Sequence, residues 1–78
     1  MDDVELDPNP QILWELCRGS DKMKCRLIQL VDRFEFELWK NTFIMYDHKT
    51  ATEYGDMLRQ TQEWRTSLEA EGWTESAA

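Results

Sequence analysis

Chemistry needs particular residue types at particular spacings, and in this chain the candidates are few. His48, with Asp47 beside it and Glu53 close behind, has acid–base potential, because a neighbouring carboxylate can orient an imidazole and hold its proton. Cys17, Cys25 and His48 are ligands that zinc would choose, but they supply three donors where a structural site takes about four, and no CxxC or HxxxH spacing is present. A carboxylate-bridged metal pair would need Glu-x-x-His, and Met45 stands in the place of that Glu. The three glycines stand singly, so no glycine-rich loop can cradle a phosphate. Cys17 lies next to Arg18, yet at a helix C-terminus the dipole would disfavour its thiolate. These residues predict a protein that is not an enzyme, with no metal, no cofactor and no small-molecule substrate. His48 reads as a loop residue near a helix start.

Two groups suit contact rather than catalysis. Phe36, Trp39, Phe43 and Tyr46 step by three, four and three, which on a helix places four aromatics on one face. Aromatic side chains dominate interface energetics, so this group predicts a protein-interaction surface. The plainer alternative is that the acidic start, with Val4 and Leu6, folds back over it. The second group is basic: Lys22, Arg26, Arg33 and Lys40, with Gln29, line one side of the same segment. A short helix and a glycine turn before it resemble a helix-turn-helix, whose second helix would enter a DNA groove. The charge distribution opposes that. Residues 18–33 carry +3, from five Lys or Arg against two Asp, while the chain as a whole carries −7, leaving −10 elsewhere to repel a duplex. Nucleic acid is therefore an unfavoured partner, and nucleic-acid binding or nucleic-acid mimicry is kept only as the alternative function.

Seventy-eight residues, 41% hydrophobic with four Trp, three Phe and two Tyr, predict one small folded domain. The longest apolar run is three residues, or four with Tyr46, far below the roughly 20 that span a bilayer, so no membrane span is expected. The start, MDDVELDPNP, lacks the basic and apolar stretches of an export signal, which predicts a cytoplasmic protein with reduced thiols. A core this small usually needs a supplement, and with disulfide and metal set aside the expected one is a homodimer or a second protein partner.

These residues must be positioned by elements, and helical spacing is the pattern that covers most of the chain. Residues 1–9 read as an acidic tail. Asn9 and Pro10 then form a start signal for a helix over 10–18, which Gly19 ends. Met23, Leu27, Leu30, Val31, Phe34, Leu38 and Met45 step by threes and fours and predict a long amphipathic helix over 21–47. Thr50 and Glu53 have the spacing of a capping box, starting a third helix over 50–71, with Gly72 as its end, Trp73 folded back onto Leu68, and a tail at 74–78. Gly55 either precedes the true helix start or admits a second helix closely. A rival exists over 34–46, where Phe34, Phe36 and Leu38 alternate with Glu35, Glu37 and Trp39 as in a β-hairpin. A tight turn there would favour Asn-Gly or Asp-Gly, and no glycine is present. The favoured fold is thus all-α: an antiparallel hairpin of two long helices with a short N-terminal helix, forming a four-helix bundle on dimerisation.

Overall fold

The computed structural model describes residues 11–41 and 43–75. It overturns the all-α expectation. The chain runs β1 (Gln11–Arg18), β2 (Asp21–Gln29), β3 (Phe34–Lys40), β4 (Ile44–Ala51), α1 (Tyr54–Ala70) and β5 (Thr74–Glu75). The strands form one antiparallel sheet in the order β4-β3-β2-β1-β5, and the helix packs on one face of it. The expected helix over 10–18 is replaced by β1, and the long helix over 21–47 by β2, β3 and the start of β4. Among the described residues there is accordingly no helical hairpin and no helical bundle. The acidic tail at 1–9 and the start signal at Asn9-Pro10 lie outside the described residues. Among the described residues no helix is long and apolar enough to cross a membrane.

The reason lies in a period of two inside each short segment. In β2, Met23, Cys25 and Leu27 are buried while Lys22, Lys24 and Arg26 point to the other face. In β3, Phe36 and Leu38 are buried while Glu35, Glu37 and Trp39 face the other way. Side chains alternate across a strand, so this pattern supplies one apolar and one polar face. The helical stripe drawn across 21–47 has to omit Cys25 and Phe36, both 0% exposed, and include Val31, which is 69% exposed.

Two turns that the helical reading takes for helix ends, or denies, close the hairpins. Gly19 (φ +62°) and Ser20 form a two-residue connection between paired Arg18 and Asp21, where positive φ matches the strand twist. After β3, Asn41 takes φ +55°, the left-handed region that Asn tolerates better than other side chains. Its backbone N–H donates to the Lys22 carbonyl (2.9 Å), its Oδ1 accepts from the Lys22 N–H (2.9 Å), and its Nδ2 donates to Asp21 Oδ1 (3.1 Å). Asn41 thus fills the role for which a glycine is sought in the sequence.

The helix is where the sequence reading and the structure meet. Met57, Thr61, Trp64 and Leu68, spaced four, three and four, are its buried face. They cover Leu16, Met23, Cys25, Leu27, Phe36 and Leu38, with Trp64 edge-on to Phe36 at 5.4 Å between ring centres. The capping box is not formed: Thr50 belongs to β4, and Glu53 caps the helix without a side-chain bond. Gly55 sits in the first turn with nothing near its missing Cβ, so it admits no close neighbour. At the other end the Gly72 (φ +97°) N–H donates to Glu69 O (3.1 Å) and the Trp73 N–H to Leu68 O (3.1 Å), a Schellman ending. That turn lays Thr74–Glu75 against Leu16 and Cys17 as β5, where the sequence predicts a tail from residue 74.

Candidate interaction edge

Pairing across the ladders assigns each strand residue to a face. The helix-covered face holds Leu16 on β1, Met23, Cys25 and Leu27 on β2, Phe36 and Leu38 on β3, and opposite these last two Lys49 and Asp47 on β4. The open face holds Glu15 and Cys17, then Lys22, Lys24 and Arg26, then Glu35, Glu37 and Trp39, then His48 and Thr50. The four aromatics read as one patch are therefore dispersed. Phe36 is 0% exposed beneath the helix. Trp39 lies half-buried on the open face, its Nε1 donating to Glu37 Oε1 (2.9 Å) and the Arg26 guanidinium 5.3 Å from its ring centre. Phe43 and Tyr46 are exposed at the rim, 75% and 61%.

The basic group also divides. Lys22 and Arg26 stand on the open face, Arg33 lies in the β2–β3 loop bonded to Asp32 (2.8 Å) and Glu35 (3.1 Å), and Lys40 pairs with Met23 on the helix side. On the open face Lys24 stands opposite Glu15, and Arg26 opposite Glu37, so cations and carboxylates interleave. A nucleic-acid backbone would want a continuous basic track.

What the structure adds is the strand that carries Tyr46 and begins directly after Phe43. β4 is the outermost strand of the sheet, paired with β3 along one side and with no described strand along the other. Seven of its eight residues are exposed, Ile44 through Thr50. With Phe43 before it, its first half presents four consecutive apolar residues, Phe43, Ile44, Met45 and Tyr46. Its second half, Asp47, His48 and Lys49, is polar. The pairing shifts between Leu38–Asp47 and Trp39–Met45, leaving Tyr46 as the extra residue of a bulge. From Asp47 to Ala51 the ladder is regular.

An exposed edge strand is a template for another strand, and proteins usually blunt it with short length, proline, lysine, bulges or a cover. β4 has the bulge and Lys49 but no proline, and it is eight residues long. One of its donors is engaged within the chain: the His48 N–H bonds Asp47 Oδ1 at 2.8 Å. The sheet's other edge is partly closed, because β5 covers Leu16 and Cys17. Sequence reasoning singles out Phe43 and Tyr46 as contact residues but misses Ile44, Asp47 and Lys49. The signal available is the β-rich, uncharged run TFIMY followed by a charged triplet, which a helical reading spreads around three faces.

The catalytic and metal-binding types are scattered. Cys25 is buried and its thiol is pushed up to about 12 by burial, so it is protonated and inert at neutral pH. Cys17 is on the opposite face beside Thr74, and both thiols are free. Among the described residues no group of three or more His, Cys, Asp or Glu side chains is placed to hold a metal. A groove of about 550 Å³ lies between Leu13 and Trp14 of β1 and Leu58, Thr61 and Gln62 of α1. The arginines on its rim are already committed, Arg59 to Asp56 and Glu63, Arg65 to Glu69 and Glu75.

Comparison with known proteins leaves the site to its own geometry: no family model, no curated protein and no solved structure matches this chain.

Proposed function

We propose that this chain is a small, non-enzymatic protein-interaction module, an adaptor or regulator, that binds through the open edge of β4. The observation that carries the reading is the run of four exposed apolar residues, Phe43 to Tyr46, leading into an outermost strand with seven exposed positions. Backbone groups along such an edge supply affinity by adding a strand, and the flanking apolar side chains supply selectivity. The acids interleaved with Lys24 and Arg26 on the open face favour this reading over nucleic-acid binding. A cytoplasmic setting belongs to the same reading.

A photoreactive benzophenone amino acid placed at position 46, with the exposed helix position Ser67 as control, tests it in expressing cells. The expected result is a discrete covalent product from position 46 that position 67 does not yield, and that disappears when Met45→Lys sets a charge in the exposed apolar run. No product at 46, or the same products at 67, would overturn the reading.

A further inference from the structure

The geometry points to a second copy of this chain as the occupant of the β4 edge, joined antiparallel about His48. This deepens the reading of β4 as an interaction edge and rests on it. When two identical edge strands pair antiparallel, residues set opposite must share a face and must turn their hydrogen-bonding groups the same way, both toward the other strand or both away from it. Successive residues alternate in both respects, so the two-fold axis has to pass through a residue pair and not between residues. The regular part of β4 begins at Asp47, after the bulge at Tyr46. Three central registers are then available, about residue 47, 48 or 49.

Charge separates them. Centring on Asp47 sets two aspartates face to face, and centring on Lys49 sets two lysines face to face, each a like-charge opposition that destabilises a ladder. Centring on His48 sets Asp47 opposite Lys49 of the second copy, and Lys49 opposite Asp47 of the second copy; the bond from the His48 N–H to Asp47 Oδ1 (2.8 Å) is exchanged for the pairing, the N–H turning to the facing strand and the carboxylate to the lysine. Both residues stand on the helix-covered side of the sheet, opposite Leu38 and Phe36, so the two attractive pairs form on one face. The triplet Asp47-His48-Lys49 is self-complementary only in this register.

Apolar surface agrees with it. The same register carries Ile44 of each copy, which beyond the bulge lies on the helix-covered side like Ala51, to the end of the other's β4, where Ala51 is followed by the exposed ring of Tyr54, itself edge-on to Phe34 at 5.8 Å. Tyr46 then meets Thr50 of the second copy. A two-fold perpendicular to the sheet keeps both helices on the same side, and the result is a continuous ten-stranded sheet whose centre is a β4–β4 pair. It also covers the longer open edge of the chain, as the small core would require.

The test is a charge exchange read by sedimentation equilibrium from about 10 μM to about 1 mM, spanning the affinities expected of a short strand interface. About 150 mM salt shortens the screening length to about 8 Å, which mutes repulsion between two chains of net charge −7. Asp47→Lys alone and Lys49→Asp alone each turn both cross-strand pairs repulsive, and each is expected to weaken self-association about tenfold or more. The double variant Asp47→Lys, Lys49→Asp restores opposite signs and is expected to associate like the wild type. Mixing the two single variants is expected to recover dimer as a heterodimer. One partner then carries lysine at both flanking positions and the other carries aspartate at both, so every cation faces a carboxylate. Circular dichroism confirms that each variant keeps the fold. A wild type that dimerises while the single variants do so equally well would overturn the His48 register. A wild type that stays monomeric would overturn the second copy as occupant. In that last case crosslinking at position 46 separates the two claims: an adduct with a different protein leaves the edge reading standing, and no adduct removes both.

Discussion

Phe36 and Phe43 lie seven residues apart and on a helix would share a face, but the sheet gives them opposite fates. Phe36 is 0% exposed and edge-on to Trp64, with Leu16, Met57 and Leu68 in the same core. Phe43 is 75% exposed. Truncating a buried Phe to Ala costs about 3–5 kcal/mol from lost burial and the cavity left behind, with the edge-to-face pair included in that total. Truncating an exposed one stays within about 0.5 kcal/mol. A domain of this length has a total stability of about 4–12 kcal/mol, so Phe36→Ala removes a large part of it or all of it. Urea unfolding followed by tryptophan fluorescence measures both variants. With a slope of about 1 kcal/mol per molar urea, Phe36→Ala moves the midpoint down by about 3 M or leaves no folded baseline, and Phe43→Ala barely moves it. Phe36→Leu, which refills most of the volume, keeps the measurement possible if the alanine variant does not fold. The experiment runs at low micromolar concentration so that self-association does not enter. Equal losses for Phe36→Ala and Phe43→Ala, or a Phe36→Ala loss below about 1 kcal/mol, would refute the core assignment.

Two further predictions concern groups whose environments the sequence does not disclose. The Cys25 thiol, raised from 9.0 to about 12 by burial, favours the folded state while it is protonated. That contribution is fully present below 9.0 and is lost as pH rises toward about 12, so the stability difference between wild type and Cys25→Ala should shrink over that window in denaturant titrations. A difference that stays constant from about pH 8 to about pH 11 would show that the thiol is not desolvated in the fold. The glycines should respond with opposite signs: Gly55→Ala, in the helix with free space around it, should stabilise by about 0.5–1 kcal/mol, whereas Gly19→Ala, at φ +62°, should destabilise by about 1–2 kcal/mol despite equally free space. Thermal unfolding of the two variants settles it, and a loss at Gly55 would mean that its neighbourhood is not open.

The legible parts of this chain are those governed by neighbours in sequence. Met57, Thr61, Trp64 and Leu68 announce their helix face because a helix satisfies its own hydrogen bonds within four residues. Gly72 and Trp73 announce its end for the same reason. The amphipathic halves of β2 and β3 are also present in the sequence, in Met23, Cys25, Leu27 and in Phe34, Phe36, Leu38. A helical reading misassigns them because short alternating runs joined end to end contain residues three and four apart. It discounts Asn41 in a left-handed turn only for want of a glycine.

Which of those runs became strands, and which strand was left at the rim, was decided by the tertiary structure. A strand's hydrogen bonds go to another part of the chain, so no window of sequence can balance its backbone. Phe36 is buried because α1 returns over β3, and Phe43 is exposed because nothing described lies beyond β4. The segment after α1 turns at Gly72 so that Thr74 and Glu75 pair with β1 and not with β4. That choice, made far downstream of the strand it concerns, leaves Phe43 to Tyr46, which a helical reading divides between a contact face and a core stripe, together along one open edge.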